Sequence, residues 1–246
     1  MIDRIMKYII ILCIAVLGFN FSSCKKDVIK PEPSSIKFAV EYVVDNNSLL
    51  FDTILYTNAA GNKYSVNHLE YFLSGFTFYK SDGSSYKSTS IFYVNAQKPL
   101  TNSINIDNLP QGSYSSISFY LGLDSNTNKT NYLPNTLDNI NMAWPDAMGG
   151  GYHFMKMEGY FLNKAGSQKD GYAMHLGRNN NLVKIDLSMP LVITGDIQTK
   201  TLSMNINEWY KNPAVYDFET DGNYSMGLPN AMSKLTQNGK DVFTIK

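Results

Sequence analysis

The sequence has no excess of charge of either sign. Its 246 residues include 21 Lys and Arg and 21 Asp and Glu, so the formal net charge at pH 7 is zero. A protein that binds DNA or RNA needs a basic surface, and a marked acidic excess would indicate a cationic partner. The charge balance therefore argues against nucleic acid as a partner.

Apolar runs long enough to cross a membrane are also missing. The apolar run at residues 8–19 falls short of the roughly 20 residues that a membrane-spanning helix requires. It follows Arg4 and Lys7, a pattern typical of a secretory signal peptide. Small residues then lead to Cys24, as in bacterial lipoprotein signals. We predict a lipoprotein signal peptide at residues 1–23 and lipidation of Cys24.

The lipoprotein signal also predicts the cellular location of the mature protein. Residues 24–35 are charged and contain two prolines, which favours an extended, lipidated tether. More than one lipid chain anchors a protein stably without a membrane-spanning helix. We therefore expect an outer-membrane lipoprotein of the bacterial cell envelope that faces the periplasm or the cell surface, with its domain at residues 36–246.

Cysteine is nearly absent. Of the two cysteines, Cys13 lies in the predicted signal peptide and Cys24 carries the predicted lipid. The mature domain then has no thiol for a disulfide, a nucleophile or a zinc site. The motifs Gly-x-Ser-x-Gly, the phosphate loop and His-Glu-x-x-His are missing as well. A Ser-His-Asp triad is assembled in space and has no positive support here, so we predict that the protein is not an enzyme.

Aromatic residues and short alternating patterns dominate the rest of the chain. The full sequence contains 17 Tyr and 13 Phe, which are typical of strands, and 17 Gly, which favours turns. Nine runs read as strands: Ile36–Val44, Leu69–Tyr79, Ile91–Val94, Tyr114–Leu121, Tyr152–Tyr160, Tyr172–Leu176, Leu182–Leu187, Leu191–Thr194 and Thr201–Asn207. The pattern predicts an all-β fold, a single antiparallel β-sandwich with a long irregular loop at Asp124–Gly151.

Methionine, histidine and tryptophan gather in one window of this domain. Residues 142–175 hold five of the nine methionines that follow Cys24, two of the three histidines and one of the two tryptophans. They are Met142, Met148, Met155, Met157, Met174, His153, His175 and Trp144. Thioether and imidazole together favour copper, and methionine favours Cu(I) in particular.

Strand periodicity gives this window a geometry. In a regular strand, His153, Met155 and Met157 project from one face. On a neighbouring strand, His175 shares a face with Gly177, whose lack of a side chain leaves room beside it. Methionines on strands also serve as core filler, because the thioether fits irregular gaps. The periodicity therefore leaves a copper site and a plain core both open.

Six short segments carry a family resemblance over nearly the whole predicted mature chain. They are Tyr64–Ser74, Leu109–Tyr114, Leu121–Ser125, Met142–Trp144, Gly151–Gly159 and Ala173–Gly177. In this order they resemble the MbnP-like family of periplasmic or surface β-sandwich proteins. The resemblance implies copper binding. It also implies that a partner dihaem peroxidase-like enzyme oxidises a tryptophan to kynurenine, and that this residue and histidines hold the metal.

The resemblance assigns roles to particular residues. It makes Trp144 the candidate for kynurenine, and His153 and His175 the imidazole ligands. A thioether ligand from Met155 or Met174 is an inference from periodicity and not from the family. One departure from the family pattern is that no histidine stands directly beside Trp144.

The predicted function is a lipid-anchored envelope protein that binds copper, as Cu(I), for storage or delivery. The alternative is a surface module that binds no metal and contacts a glycan, a peptide or another envelope protein through its aromatic residues and long loop. The distance between His153 and His175 separates the two hypotheses. A shared pocket with a methionine sulfur would favour copper.

Overall fold

The structure, a computed structural model, describes residues 34–246. The predicted signal peptide, the lipidation site Cys24 and nearly all of the predicted tether lie outside the described residues. Within residues 34–246, no helix is both long enough and apolar enough to cross a membrane.

Fourteen strands account for most of the regular structure in the described chain. They are β1 (Ser34–Val44), β2 (Asn47–Ser48), β3 (Tyr56–Thr57), β4 (Lys63–Tyr64), β5 (His68–Lys80), β6 (Ser85–Lys87), β7 (Ile91–Asn95), β8 (Ser103–Leu109), β9 (Gly112–Leu121), β10 (His153–Leu162), β11 (Lys169–Gly177), β12 (Val183–Ile193), β13 (Gln198–Asn205) and β14 (Phe243–Ile245). The helices are α1 (Leu137–Asn141), α2 (Pro229–Asn238) and 3-10 segments at Pro99–Thr101, Asp146–Met148, Asn179–Asn181 and Ile206–Tyr210.

The strands form two sheets. The smaller has the order β14-β13-β1-β2, with β8 also paired to β1. The larger has the order β12-β9-β5-β10-β4-β3, with β11 paired to β10 and β6 and β7 paired to β5. The named strands pair antiparallel throughout, except for β1 and β13, which run parallel. The predicted all-β, sandwich-like class is confirmed.

Aromatic side chains fill the space between the sheets. Phe76 and Phe119 of the larger sheet stack with ring centroids 5.0 Å apart. Phe38 of β1 lies 6.3 Å from Phe76, and Phe243 of β14 lies 5.5 Å from Phe119. Alternation along β1 buries Phe38 and leaves Lys37 exposed. The aromatic content seen in the sequence is therefore largely the core of the sandwich.

The observed elements differ from the predicted ones in several places. Two predicted strands are one strand, β12, whose register is irregular between Ser188 and Leu191; Pro190 between them has no N–H for the ladder. The strand β8 was not predicted, because its Asn and Asp residues are typical of loops. The long loop at 124–151 contains the helix α1 and a 3-10 turn.

This loop folds back onto the start of β10. Trp144 donates its backbone N–H to the carbonyl oxygen of Gly151 at 2.9 Å, and Ala143 forms an isolated antiparallel bridge with Tyr152. Gly151 has a φ of +85°, and a Cβ there would lie 2.4 Å from Oδ1 of Asn128. Gly149, Gly150 and Gly151, all with positive φ, thus let the chain reverse and bring Trp144 over the larger sheet.

Candidate metal centre

A β-bulge decides which side chains of β10 share a face. His153 pairs with Gly177 of β11, but Met155 pairs with Leu176, so the register shifts between His153 and Met155. One extra residue in a strand reverses the alternation that follows it. The expectation that His153 and Met155 project together is therefore wrong.

Both candidate methionine ligands face the core. Lys156 lies directly opposite His175, so the preceding Met155 points to the other face of the sheet. Met174, one residue before His175, does the same, and both methionines are fully buried. The structure does not bring Met155 or Met174 to the histidines, because adjacent residues in a strand point to opposite faces.

The two histidines lie next to each other. The ring centroids of His153 and His175 are 5.0 Å apart and the rings are perpendicular. His153 is 6% exposed, and the side chain of His175 is 15% exposed. The neighbouring strands β10 and β11 thus place two imidazoles in one largely buried pocket.

Trp144 completes this pocket. Its ring centroid is 4.7 Å from that of His153, and the residue is 2% exposed. Its Nε1 donates to the carbonyl oxygen of Met148 at 3.3 Å. A Cβ on Gly177 would lie only 2.3 Å from the indole of Trp144. The space predicted beside His175 is therefore occupied by the Trp144 ring. The structure brings together three of the five predicted site residues.

Each histidine has one ring nitrogen held by a protein oxygen. Nδ1 of His153 lies 3.2 Å from the carbonyl oxygen of Met142, and Nε2 of His175 lies 2.8 Å from Oε1 of Glu158. A ring that donates a proton from one nitrogen carries a lone pair on the other. Metal-binding histidines in proteins are typically fixed in this way, by a carbonyl or a carboxylate on the second nitrogen.

Electrostatics keep His153 neutral. Burial, followed by repulsion from His175 and Lys156, lowers the pKa of His153 to about 4. The hydrogen bond from His175 lowers the pKa of Glu158 below its usual value. At neutral pH, His153 is therefore an uncharged imidazole, the form that binds metals.

The donor set is smaller than a zinc site requires. Structural zinc sites take four protein ligands, and catalytic ones take three. Within residues 34–246 there is no group of three or more His, Cys, Asp or Glu side chains arranged to hold a metal ion. Imidazole also suits copper, and the two rings are the nitrogen donors that this pocket offers.

A charged cleft on the same face of the larger sheet includes Glu158, the partner of His175. It has a volume of about 620 Å³ and is lined in part by His68, Glu70, Lys156 and Glu158. His68 lies opposite Glu158 on the neighbouring strand, so the third histidine is on the same face of the sheet as the other two. Its Nε2 lies 3.1 Å from Glu70, and no contact with the His153 pocket is seen in the described chain.

Glu70 is the buried charge of this cleft. It accepts a hydrogen bond from Tyr93 at 2.5 Å and lies 3.2 Å from Nζ of Lys156. Burial alone would raise the pKa of Glu70, but the hydrogen bonds from His68 and Tyr93 and the charge of Lys156 outweigh it and lower the pKa to about 2. The carboxylate therefore stabilises the folded state.

We expect Glu70→Gln to destabilise the protein in a pH-dependent way. A carboxyl with a depressed pKa contributes stability above its unfolded-state pKa of 4.5, and this contribution is lost as the pH falls towards about 2. The expected cost is about 2 kcal/mol or more at pH 7 and much less near pH 2. Urea unfolding at several pH values measures it.

Glu41→Gln is the matched control. Glu41 forms an exposed ion pair with Lys246, and such pairs contribute little to stability. Equal free energies of unfolding for Glu70→Gln and Glu41→Gln at pH 7 would show that Glu70 has no special role.

Sequence reasoning missed Glu158 and Arg178 as parts of the site. In the sequence, Glu158 is a single charge within a strand pattern, and nothing there pairs it with a partner. The sequence indication for Glu158 was its position two residues after Lys156, which places it on the strand face opposite Met155 and Met157. Arg178 gave no signal, because its contact with Trp144 joins segments that are distant in sequence.

Comparisons with known proteins agree with this architecture. The family model for MbnP matches residues 33–228. The solved structure of MbnP from Methylosinus trichosporium matches with a TM-score of 0.57 at 13% sequence identity. That match covers 87% of this chain and 98% of the other. No curated protein matches the chain.

Proposed function

Since the chain belongs to the MbnP family, we propose that it is a lipid-anchored protein of the bacterial cell envelope that binds Cu(I) and stores it or hands it on. The family model extends over most of the chain, whereas the structural match, at 13% identity, supports the fold alone. The proposed role is binding and not catalysis.

One observation carries the copper proposal. His153 and His175, from neighbouring strands, place their rings 5.0 Å apart, and a protein oxygen lies within hydrogen-bonding distance of one nitrogen of each. An ordinary core does not need two adjacent imidazoles, since histidine is costly to bury compared with an apolar residue. Copper loading followed by dialysis tests the proposal, and the wild-type protein should retain its copper.

We also expect Trp144 to be oxidised to kynurenine in the native host by a dihaem peroxidase-like partner enzyme. Its ring lies beside His153, so the modified side chain would lie next to the imidazole ligands. Mass spectrometry of the peptide that contains Trp144, from cells grown under copper limitation, measures the modification.

Trp209 is the internal control for this prediction. It is fully buried beneath Gly239 and makes no ring contact with a histidine within residues 34–246, so it should remain unmodified in the same sample. An unmodified Trp144 peptide, or equal oxidation of both tryptophans, would contradict a specific modification.

A second candidate function is the surface module that binds no metal. Leu137 and Ile140 of α1 are exposed on one side of the helix, and Tyr132 nearby in the same loop is exposed as well. Exposed apolar side chains mark a binding surface where they form a contiguous patch. Failure of the wild-type protein to retain copper would favour this function.

A further inference from the structure

Arg178 has a backbone conformation that its residue type disfavours. Its φ is 67° and its ψ is 143°, a region populated almost only by glycine. The other described non-glycine residues with positive φ are Asp45, Asp52, Asn108 and Asn131, which tolerate such values far better. Strain of this kind persists where the surrounding structure holds the residue in place, and it is often found at functional sites.

The strained backbone places a charge over Trp144. The guanidinium carbon of Arg178 lies 5.9 Å from the centroid of the indole, within the range of a cation–π contact. The preceding Gly177 supports the same ring. Arg178 is exposed, so its own burial does not account for the strain. It is also the sole arginine among residues 34–246; the other Lys or Arg positions there are all lysine.

On the side of His153, the charged groups near the histidine pair are mainly positive. Arg178 reaches the pair through Trp144, which contacts the ring of His153. Lys156 also acts on His153, although its charge is partly offset by Glu70. Glu158 is the negative group at the other side, where it is paired with His175. His68 lies beyond Glu158 and is paired with Glu70.

We propose that Arg178 is a specificity-determining residue whose charge, held over Trp144 beside the His153–His175 pair, selects Cu(I) against divalent ions. Repulsion between a fixed positive charge and a bound ion grows with the charge of the ion. A divalent ion is therefore penalised about twice as strongly as Cu(I). This inference rests on the proposed copper function and adds to it the selection of the oxidation state.

Three substitutions at Arg178 separate the effect of its charge from the effect of its backbone conformation. Arg178→Gln removes the charge, Arg178→Lys keeps it, and Arg178→Gly removes it while relaxing the backbone. The affinities for Cu(I), Cu(II) and Zn(II) are measured by competition with chelators, and the copper potential is measured on the loaded protein.

The expected result is a change in selectivity and not a general loss of binding. A unit charge at roughly 10 Å and an effective permittivity of about 20 changes the relative affinity for a divalent and a monovalent ion by about tenfold. Arg178→Gln and Arg178→Gly should raise the ratio of Cu(II) to Cu(I) affinity by about this factor and lower the copper potential. Arg178→Lys should stay close to the wild type. Arg178→Gly should also raise the Tm, because glycine adopts this backbone without strain.

Lys169→Gln is the matched control. Lys169 makes a cation–π contact with Tyr160 at 4.4 Å in the same pair of strands, away from the histidines. Its substitution should leave the selectivity unchanged.

The outcomes distinguish the two proposals. If the wild type binds no copper, the proposed function fails and this inference fails with it. If the wild type binds Cu(I) but Arg178→Gln leaves the affinity ratio and the potential unchanged, the inference alone is overturned. An equal loss of Cu(I) and Cu(II) affinity would also overturn it, because it would make Arg178 a structural support of Trp144.

Discussion

Replacing His153 and His175 together by alanine is expected to abolish copper retention. The two imidazoles are the donors that the structure brings together, so their loss should cost more than the roughly 10- to 100-fold seen when only a supporting residue of a metal site is removed. Recombinant protein is loaded with Cu(I) and dialysed, and the bound copper is then measured by elemental analysis.

The matched control is the variant Met155→Leu/Met174→Leu. Both methionines are fully buried on the core face of the larger sheet, opposite the histidines. Leucine has nearly the same volume, and such exchanges are usually tolerated in a core. We expect this variant to keep its copper.

These two variants test the site directly. Loss of copper from the methionine variant, or full retention by the histidine variant, would contradict the ligand assignment. Circular dichroism of both variants confirms that each has kept its fold.

Gly159→Ala is expected to have the largest effect on stability. A Cβ on Gly159 would lie 2.1 Å from the backbone carbonyl oxygen of Ser65, a contact that no rotamer relieves. The backbone of Ser65 is fixed by its own N–H, which donates to Tyr160 at 2.8 Å. Its carbonyl oxygen also accepts a hydrogen bond from the buried hydroxyl of Tyr172 at 2.8 Å. We expect a loss of more than about 3 kcal/mol, or no soluble protein.

Gly171→Ala is its control in the same pair of strands. The nearest atom to a Cβ on Gly171 is the hydroxyl oxygen of Tyr224 at 3.4 Å, an ordinary contact. Urea unfolding should therefore find this variant close to the wild type. Equal stabilities for the two alanine variants would show that the backbone at Ser65 shifts to accommodate the new Cβ on residue 159.

The sequence by itself determined the class of fold and the neighbourhood of the site. Period-2 patterns and aromatic content are local consequences of a pleated sheet with one buried face, so they can be read without a structure. For the same reason the strands that became β10 and β11 were located correctly within a few residues. The gathering of His153, His175 and Trp144 in one window also survives folding.

Only the tertiary structure decided which of these residues meet. The bulge between His153 and Met155 adds one residue to β10, so Met155 faces the core while His153 lies on the same face as His175. Period-2 reasoning has no means of detecting a single extra residue, and an error of one position reverses the face of every side chain beyond it. The partners Glu158 and Arg178 likewise depend on strand pairing and on a loop folding back, which are contacts between residues far apart in the chain.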